Sequence, residues 1–113
     1  MSEPTGFVKH DAEKVRPELL PPAALLKVAR VFTFGARKYA AENYLQGTNW
    51  RRYTGAALRH LLAFCTGEND DPETGESHLA HLCCCAMMLM ELQRVGTGTD
   101  DRVKSTPTLG ATP

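Results

Sequence analysis

The sequence predicts an all-α protein: a small helical bundle in one domain. Three observations carry this. The chain has 113 residues, 42% of them hydrophobic, which is enough for one core and too few residues for two. Apolar residues recur at helical spacing in three segments, each bounded by the proline, asparagine, serine or glycine that helix ends favour. No segment alternates apolar and polar residues as a half-buried strand does.

Residues 1–17 are polar, end in Arg16-Pro17, and read as an extended arm. Proline is tolerated at the first helical position, so a helix starts at Pro22; Leu25, Val28, Phe32 and Tyr39 extend it over 22–41, with Gly35 allowing close packing. The stretch ENYLQGTN, 42–49, is a loop around Gly47. Asn49 is the expected N-cap of a second helix that runs to Thr66, with Gly67 as its stop. Tyr53, Ala57, Leu58, Leu61, Phe64 and Cys65 form its apolar arc, and His60 lies on that arc.

GENDDPETGES follows, with five carboxylates between Glu68 and Glu76. Ser77 caps a third helix over 78–94, in which only His81 is strongly polar between Leu79 and Met90. A helix that is apolar all round must be buried on all sides. Two further helices cannot cover it, so the expected assembly is a homo-oligomer in which this helix packs on its copy. Residues 95–113 hold Gly, Thr and Pro and read as a flexible tail, which leaves 18–94 as the folded domain.

Charge and cysteine content exclude several classes. Thirteen Lys and Arg balance thirteen Asp and Glu, so a nucleic-acid polymer is not the expected partner. No apolar run approaches the roughly 20 residues that span a bilayer, so no membrane partner is expected. MSEPTGFVKHDAEK has no apolar signal region, and a cytoplasmic location is the expectation. Cys65, Cys83, Cys84 and Cys85 include no C-x-x-C pair; three are adjacent in an apolar stretch, where they cannot form a disulfide framework. They read as small buried hydrophobes and poor nucleophiles.

The stretch from His60 to His81 carries the chemistry. A short loop makes helices two and three antiparallel neighbours, so the end of one lies beside the start of the other. His78 and His81 are one turn apart on a shared face, and Glu68 and Asp71 are spaced to hold one ion. Three imidazoles and several carboxylates thus converge. Carboxylates suit Mg²⁺ or Mn²⁺; imidazoles shift the preference toward Mn, Fe, Co, Ni or Zn. The loop lacks the D-x-D-x-D-G core of an EF-hand. Each element also has a plainer explanation, a solvated acidic loop or a histidine pair decorating a helix start. A structural zinc site built from His60, His78, His81 and one Cys is a further alternative.

A second cluster, GARKYAAENYLQGTNWRRY at 35–53, interleaves Arg37, Lys38, Arg51 and Arg52 with Tyr39, Tyr44, Trp50 and Tyr53. Cations bind phosphates and aromatic faces stack on bases; the plainer alternative, favoured for Trp50 and Tyr39 taken alone, is a surface-charged connector whose aromatics plug the core. There is no Walker A motif, no G-x-G-x-x-G and no G-x-S-x-G.

Four segments occur in order: KHDAEKVRPELLPPAAL, FGARKYAAENY, the Trp of TNW, and RHLLAFCTGENDDPETGESHLAH. Together they closely resemble the dATP/dGTP diphosphohydrolase-like domain common in phage genomes, one of the all-α NTP pyrophosphohydrolases related to MazG. The resemblance covers about residues 9–92. It implies hydrolysis of purine deoxynucleoside triphosphates to monophosphate and pyrophosphate, in the host-cell cytoplasm if the protein is phage-encoded. The chain departs from the E-x-x-E and E-x-x-D helices of MazG-type enzymes: its third helix opens with His78-x-x-His81. On this reading His60, Glu68, Asp71, His78 and His81 hold a divalent metal, Mg²⁺ or Mn²⁺, with Zn²⁺ or Co²⁺ as alternatives. Glu68 and Asp71 then serve catalysis through that ion, and Glu73 is a further ligand or the general base. Lys14, Arg16 and Lys38 neutralise phosphate charge, Asn43 bonds the base or sugar, and Tyr39 or Trp50 stacks on the base. The alternative reading is a non-catalytic protein that sequesters a nucleotide or a nucleotide messenger.

Overall fold

In a computed structural model that describes residues 6–104, the chain forms three α-helices. They are α1 (Pro22–Lys38), α2 (Trp50–Cys65) and α3 (His78–Val95). Short 3-10 turns at Pro17–Leu19 and Asn43–Gln46 precede and follow α1. The described residues hold no strand beyond two isolated bridges, Asn49 to Thr99 and Asp70 to Ser77. None of the described helices is long and apolar enough to cross a membrane.

α2 and α3 are antiparallel: His60 meets His78 at one end, and Trp50 meets Thr97 at the other. α3 is the central element. α1 and α2 both pack on it and scarcely on each other, which leaves a gap over α3 between them. The core is thin and lies where α1 meets α3, with Val28 and Val31 against Ala80 and Cys84 and with Phe32 and Met88 half-buried around them. Leu92 is the most deeply buried large side chain.

Ser77 caps α3 as expected, its hydroxyl accepting from the amides of Leu79 and Ala80. α1 stops at Lys38, three residues short of the expected 41. Positive φ at Ala40 (149°) and Glu42 (60°) reverses the chain, and a right-handed helix cannot pass through such residues.

Asn49 precedes α2 as expected, but its side chain caps nothing. The amides of the first turn are satisfied from elsewhere: Trp50 N–H donates to Thr99 O and Arg51 N–H to Asp101 Oδ1. Residues 96–101 thus fold back onto the start of α2, where the sequence suggests a loose tail; the remainder of that stretch, 105–113, lies outside the described residues. The fold-back explains Trp50, whose indole N–H donates to Thr97 O while Arg102 covers its ring.

Burial of the cysteines and of α3 is only partial. Cys84 and Cys85 are buried, and burial pushes the Cys84 thiol up to about 12; Cys65 and Cys83 are exposed. Leu79, Cys83, Met87 and Met90 form an exposed stripe on α3, and Leu58, Leu61, Leu62 and Cys65 form another on α2. The apolar arc expected of α2 is therefore partly on the surface of the single chain.

Candidate functional site

The connection between α2 and α3 is an ordered turn. Asp71 N–H donates to Glu76 O, Gly75 N–H to Asp71 O, and His78 N–H to Asn69 O. These bonds hold the start of α3 against the end of α2. Three carboxylates of the loop are thereby given separate places. Glu76 reaches back to Arg30 of α1 at 3.2 Å, and Glu73 to Lys38 at 3.4 Å. Asp71 Oδ1 accepts from the amides of Glu73 and Thr74 at 2.7 and 3.2 Å, which aims Oδ2 at His60, 3.7 Å from its Nδ1.

Three of the expected ligands converge. One nitrogen each from His60 and His78 and a carboxylate oxygen of Asp71 all lie within 4.8 Å of one another. The Nδ1 atoms of His60 and His78 are 2.9 Å apart. His78 is buried, and its other nitrogen, Nε2, lies 2.6 Å from Glu68 Oε1. A carboxylate only accepts, so His78 donates from Nε2; its neutral form then presents the lone pair of Nδ1 to His60. His60 then fills the contact by donating from its own Nδ1, or both lone pairs face a cation.

The other two expected ligands stand around this trio. Glu68 lies behind His78, where it fixes that ring and its tautomer. The His81 ring stacks on His60, centroids 4.3 Å apart and nearly parallel, with its Nε2 held 2.7 Å from Thr74 Oγ1.

Electrostatics favour the neutral form of His60 and of His81. Burial, with neighbouring His81 and His78, lowers the pKa of His60 against the pull of Asp71. Burial likewise lowers that of His81. Burial alone would raise the pKa of Asp71, but the two backbone amides and the adjacent imidazoles bring it below the usual value.

His60 and Asp71 stand on the wall of a cavity of about 740 Å³ that fills the gap between α1 and α2. Lys38, Tyr39, Asn43 and Glu73 also line it. Lys14 and Arg16 do not: both are on the exposed stretch before α1, where Arg16 pairs with Glu18. Trp50 does not line it either, being engaged by Thr97 and Arg102. Arg52, one of the cations of the 35–53 cluster, lines it, as do Thr74 and Arg59, which the sequence left without a role in the site. For Arg59 a signal existed, since it stands seven residues after Arg52 and beside His60 on one helix.

A family model described as "dATP/dGTP diphosphohydrolase, N-terminal" matches residues 5–102. A curated relative, the dATP/dGTP diphosphohydrolase of Salmonella phage PMBT28, is 34% identical over 95 residues, 84% of this chain and 32% of the relative. The chain therefore spans about a third of that relative's length. No solved structure matches it.

Proposed function

The chain belongs to the dATP/dGTP diphosphohydrolase N-terminal family, and on that premise we propose that its cavity hydrolyses purine deoxynucleoside triphosphates to monophosphate and pyrophosphate in a metal-dependent reaction. The observation that supports this is the convergence of His60, Asp71 and His78, two of them on the wall of a cavity large enough for a nucleotide. The donor set suits a divalent ion. Two imidazoles and one carboxylate, with a second carboxylate behind one imidazole, match Mn²⁺, Co²⁺ or Zn²⁺ better than the all-oxygen preference of Mg²⁺. A divalent ion held there polarises phosphate oxygens and lowers the pKa of a bound water.

The chain's own residues divide the remaining work. Glu68 holds His78 in the ligating tautomer, and the amides of Glu73 and Thr74 hold Asp71 in place. Glu73 lines the cavity with its carboxylate free of backbone amides, so it is the group to accept a proton from the attacking water. Lys38, 3.4 Å from it, neutralises phosphate charge. Tyr39 and Asn43 stand on the same cavity wall to meet the base. Self-association, as in a MazG-like assembly, covers the apolar stripes on α2 and α3.

The experiment is incubation of the pure protein with each dNTP and each metal in oxygen-18 water. The expected products of dATP or dGTP are the dNMP, carrying the label, and pyrophosphate, with no dNDP. Label in the pyrophosphate, or release of dNDP and orthophosphate, overturns attack at the α-phosphorus. Stoichiometric binding without product establishes a sequestering protein instead. Light scattering on the same sample is expected to exceed the 12.4 kDa of one chain; a well-folded monomer at micromolar concentration removes the self-association.

A further inference from the structure

The cavity wall contributed by α2 consists of Arg52, Tyr53, Ala56, Arg59 and His60. This spacing is one helical face. Its two arginines stand seven residues apart, about 10 Å along the axis at the rise of an α-helix. Ala56 stands between them beside Tyr53, and Arg59 reaches back along the helix: a Cβ at neighbouring Gly55 would sit 3.5 Å from Arg59 Nη1. The Arg59 guanidinium is thereby brought toward Arg52 along the cavity face.

Their pairing sets them apart from the third cation of the cavity. Lys38 has Glu73 as its partner. Neither Arg52 nor Arg59 makes a side-chain hydrogen bond or ion pair among the described residues, although Glu42, Asp71 and Glu73 line the same cavity. Arg59 immediately precedes His60, so one end of this face adjoins the His60–Asp71–His78 cluster. Unpaired guanidiniums facing one cavity are suited to bidentate recognition of phosphate.

We infer that Arg52 and Arg59 form a two-point clamp for a polyphosphate chain, which lies along the cavity face of α2 past Ala56 from the His60 end toward Arg52. The inference rests on the proposed nucleotide reading and adds to it the direction in which the substrate lies. Arg59 grips the phosphate nearest the metal cluster, and Arg52 the far end.

The test is calorimetric titration of inorganic tripolyphosphate and, separately, of dATP into the protein with Mn²⁺ present. Wild type is compared with Arg52→Gln, Arg59→Gln, Arg59→Lys and the control Arg37→Gln. Arg37 is an exposed cation of α1 that does not line the cavity. Each cavity Gln variant is expected to bind tripolyphosphate about tenfold to a hundredfold more weakly. Arg59→Lys should recover part of the loss, and Mn²⁺ affinity and helical content should not change. Both arginines are exposed and unpaired, so folding does not depend on them. Equal binding by the variants overturns the clamp and leaves the nucleotide reading intact. An equal loss in Arg37→Gln also overturns it, since the effect is then general charge. A wild type that binds dATP but no tripolyphosphate overturns the clamp alone; one that binds neither overturns the nucleotide reading with it.

Discussion

The two ends of the α2–α3 pair differ in what their side chains add to the main chain. At the end near His60 the backbone bonds of the turn are joined by a network of side chains: His60, His78, His81, Asp71, Glu68 and Thr74 bond or stack with one another. At the end near Trp50 the contacts run mostly through the main chain: Trp50 N–H to Thr99 O, Thr99 N–H to Thr48 O, and the indole to Thr97 O. Gly47 and Gly98 make that second contact possible. A Cβ on Gly47 would lie 2.6 Å from Gly98 N, and one on Gly98 would run into Thr48 O. Side-chain contacts between ionisable groups can exchange a proton or a cation without moving the backbone. Main-chain contacts can only hold or break. One end is therefore suited to chemistry and the other to anchoring the helices.

Substitutions at each end should separate these roles. The largest effect is expected from Gly98→Val. Gly98 has φ of 79°, where a β-branched residue is strained, and no room beside Thr48. A loss of at least about 3 kcal/mol should follow, read as a drop in the thermal midpoint of roughly 10 °C or more. A variant that melts with wild type would show that the main-chain clasp does not anchor α2.

Glu68→Ala should produce a smaller effect of a different kind. The residue is half exposed, so the melting curve should barely move. Divalent-metal affinity should fall about 10- to 100-fold because His78 loses the partner that fixes its tautomer. Unchanged metal affinity by calorimetry would place Glu68 outside the site.

The smallest effect is in the pH profile. His60 and His81 titrate below 6.5 in the fold, chiefly because burial disfavours the imidazolium. The unfolded chain then binds more protons as acid is added. Stability from this end is complete above about pH 6.5 and is lost as pH falls through the lowered folded values. The cost of Gly98→Val should meanwhile be the same at pH 5.5 and 8. A wild-type midpoint that is flat from pH 7 to 5 would contradict the assignment of neutral imidazoles.

Much of this was legible from local signals. The 3.6-residue period, Pro22, Ser77 and Gly67 place three helices, because helix ends and apolar faces depend on residues within a few positions of each other. The short connection between α2 and α3 was enough to bring His60 beside His78, since a hairpin of helices allows one arrangement of its closed end. The roles within that cluster were not legible. Glu68, Asp71 and Glu73 have the same chemistry in sequence, and only the turn's backbone bonds send one to His78, one to His60 and one to Lys38.

The sequence by itself determined the helices, their order, and the meeting of imidazoles and carboxylates at one end of a hairpin, because each follows from local propensity and a short loop. Only the tertiary structure decided that Trp50 is an anchor rather than a stacking platform, that residues 96–101 cap α2, and that Arg52 and Arg59 face the same cavity as the histidines. The physical reason is range. Those facts depend on contacts between residues almost fifty positions apart, or on the gap that α1 and α2 leave above α3; the seven-residue spacing puts Arg52 and Arg59 on one face, but no local pattern encodes what that face meets.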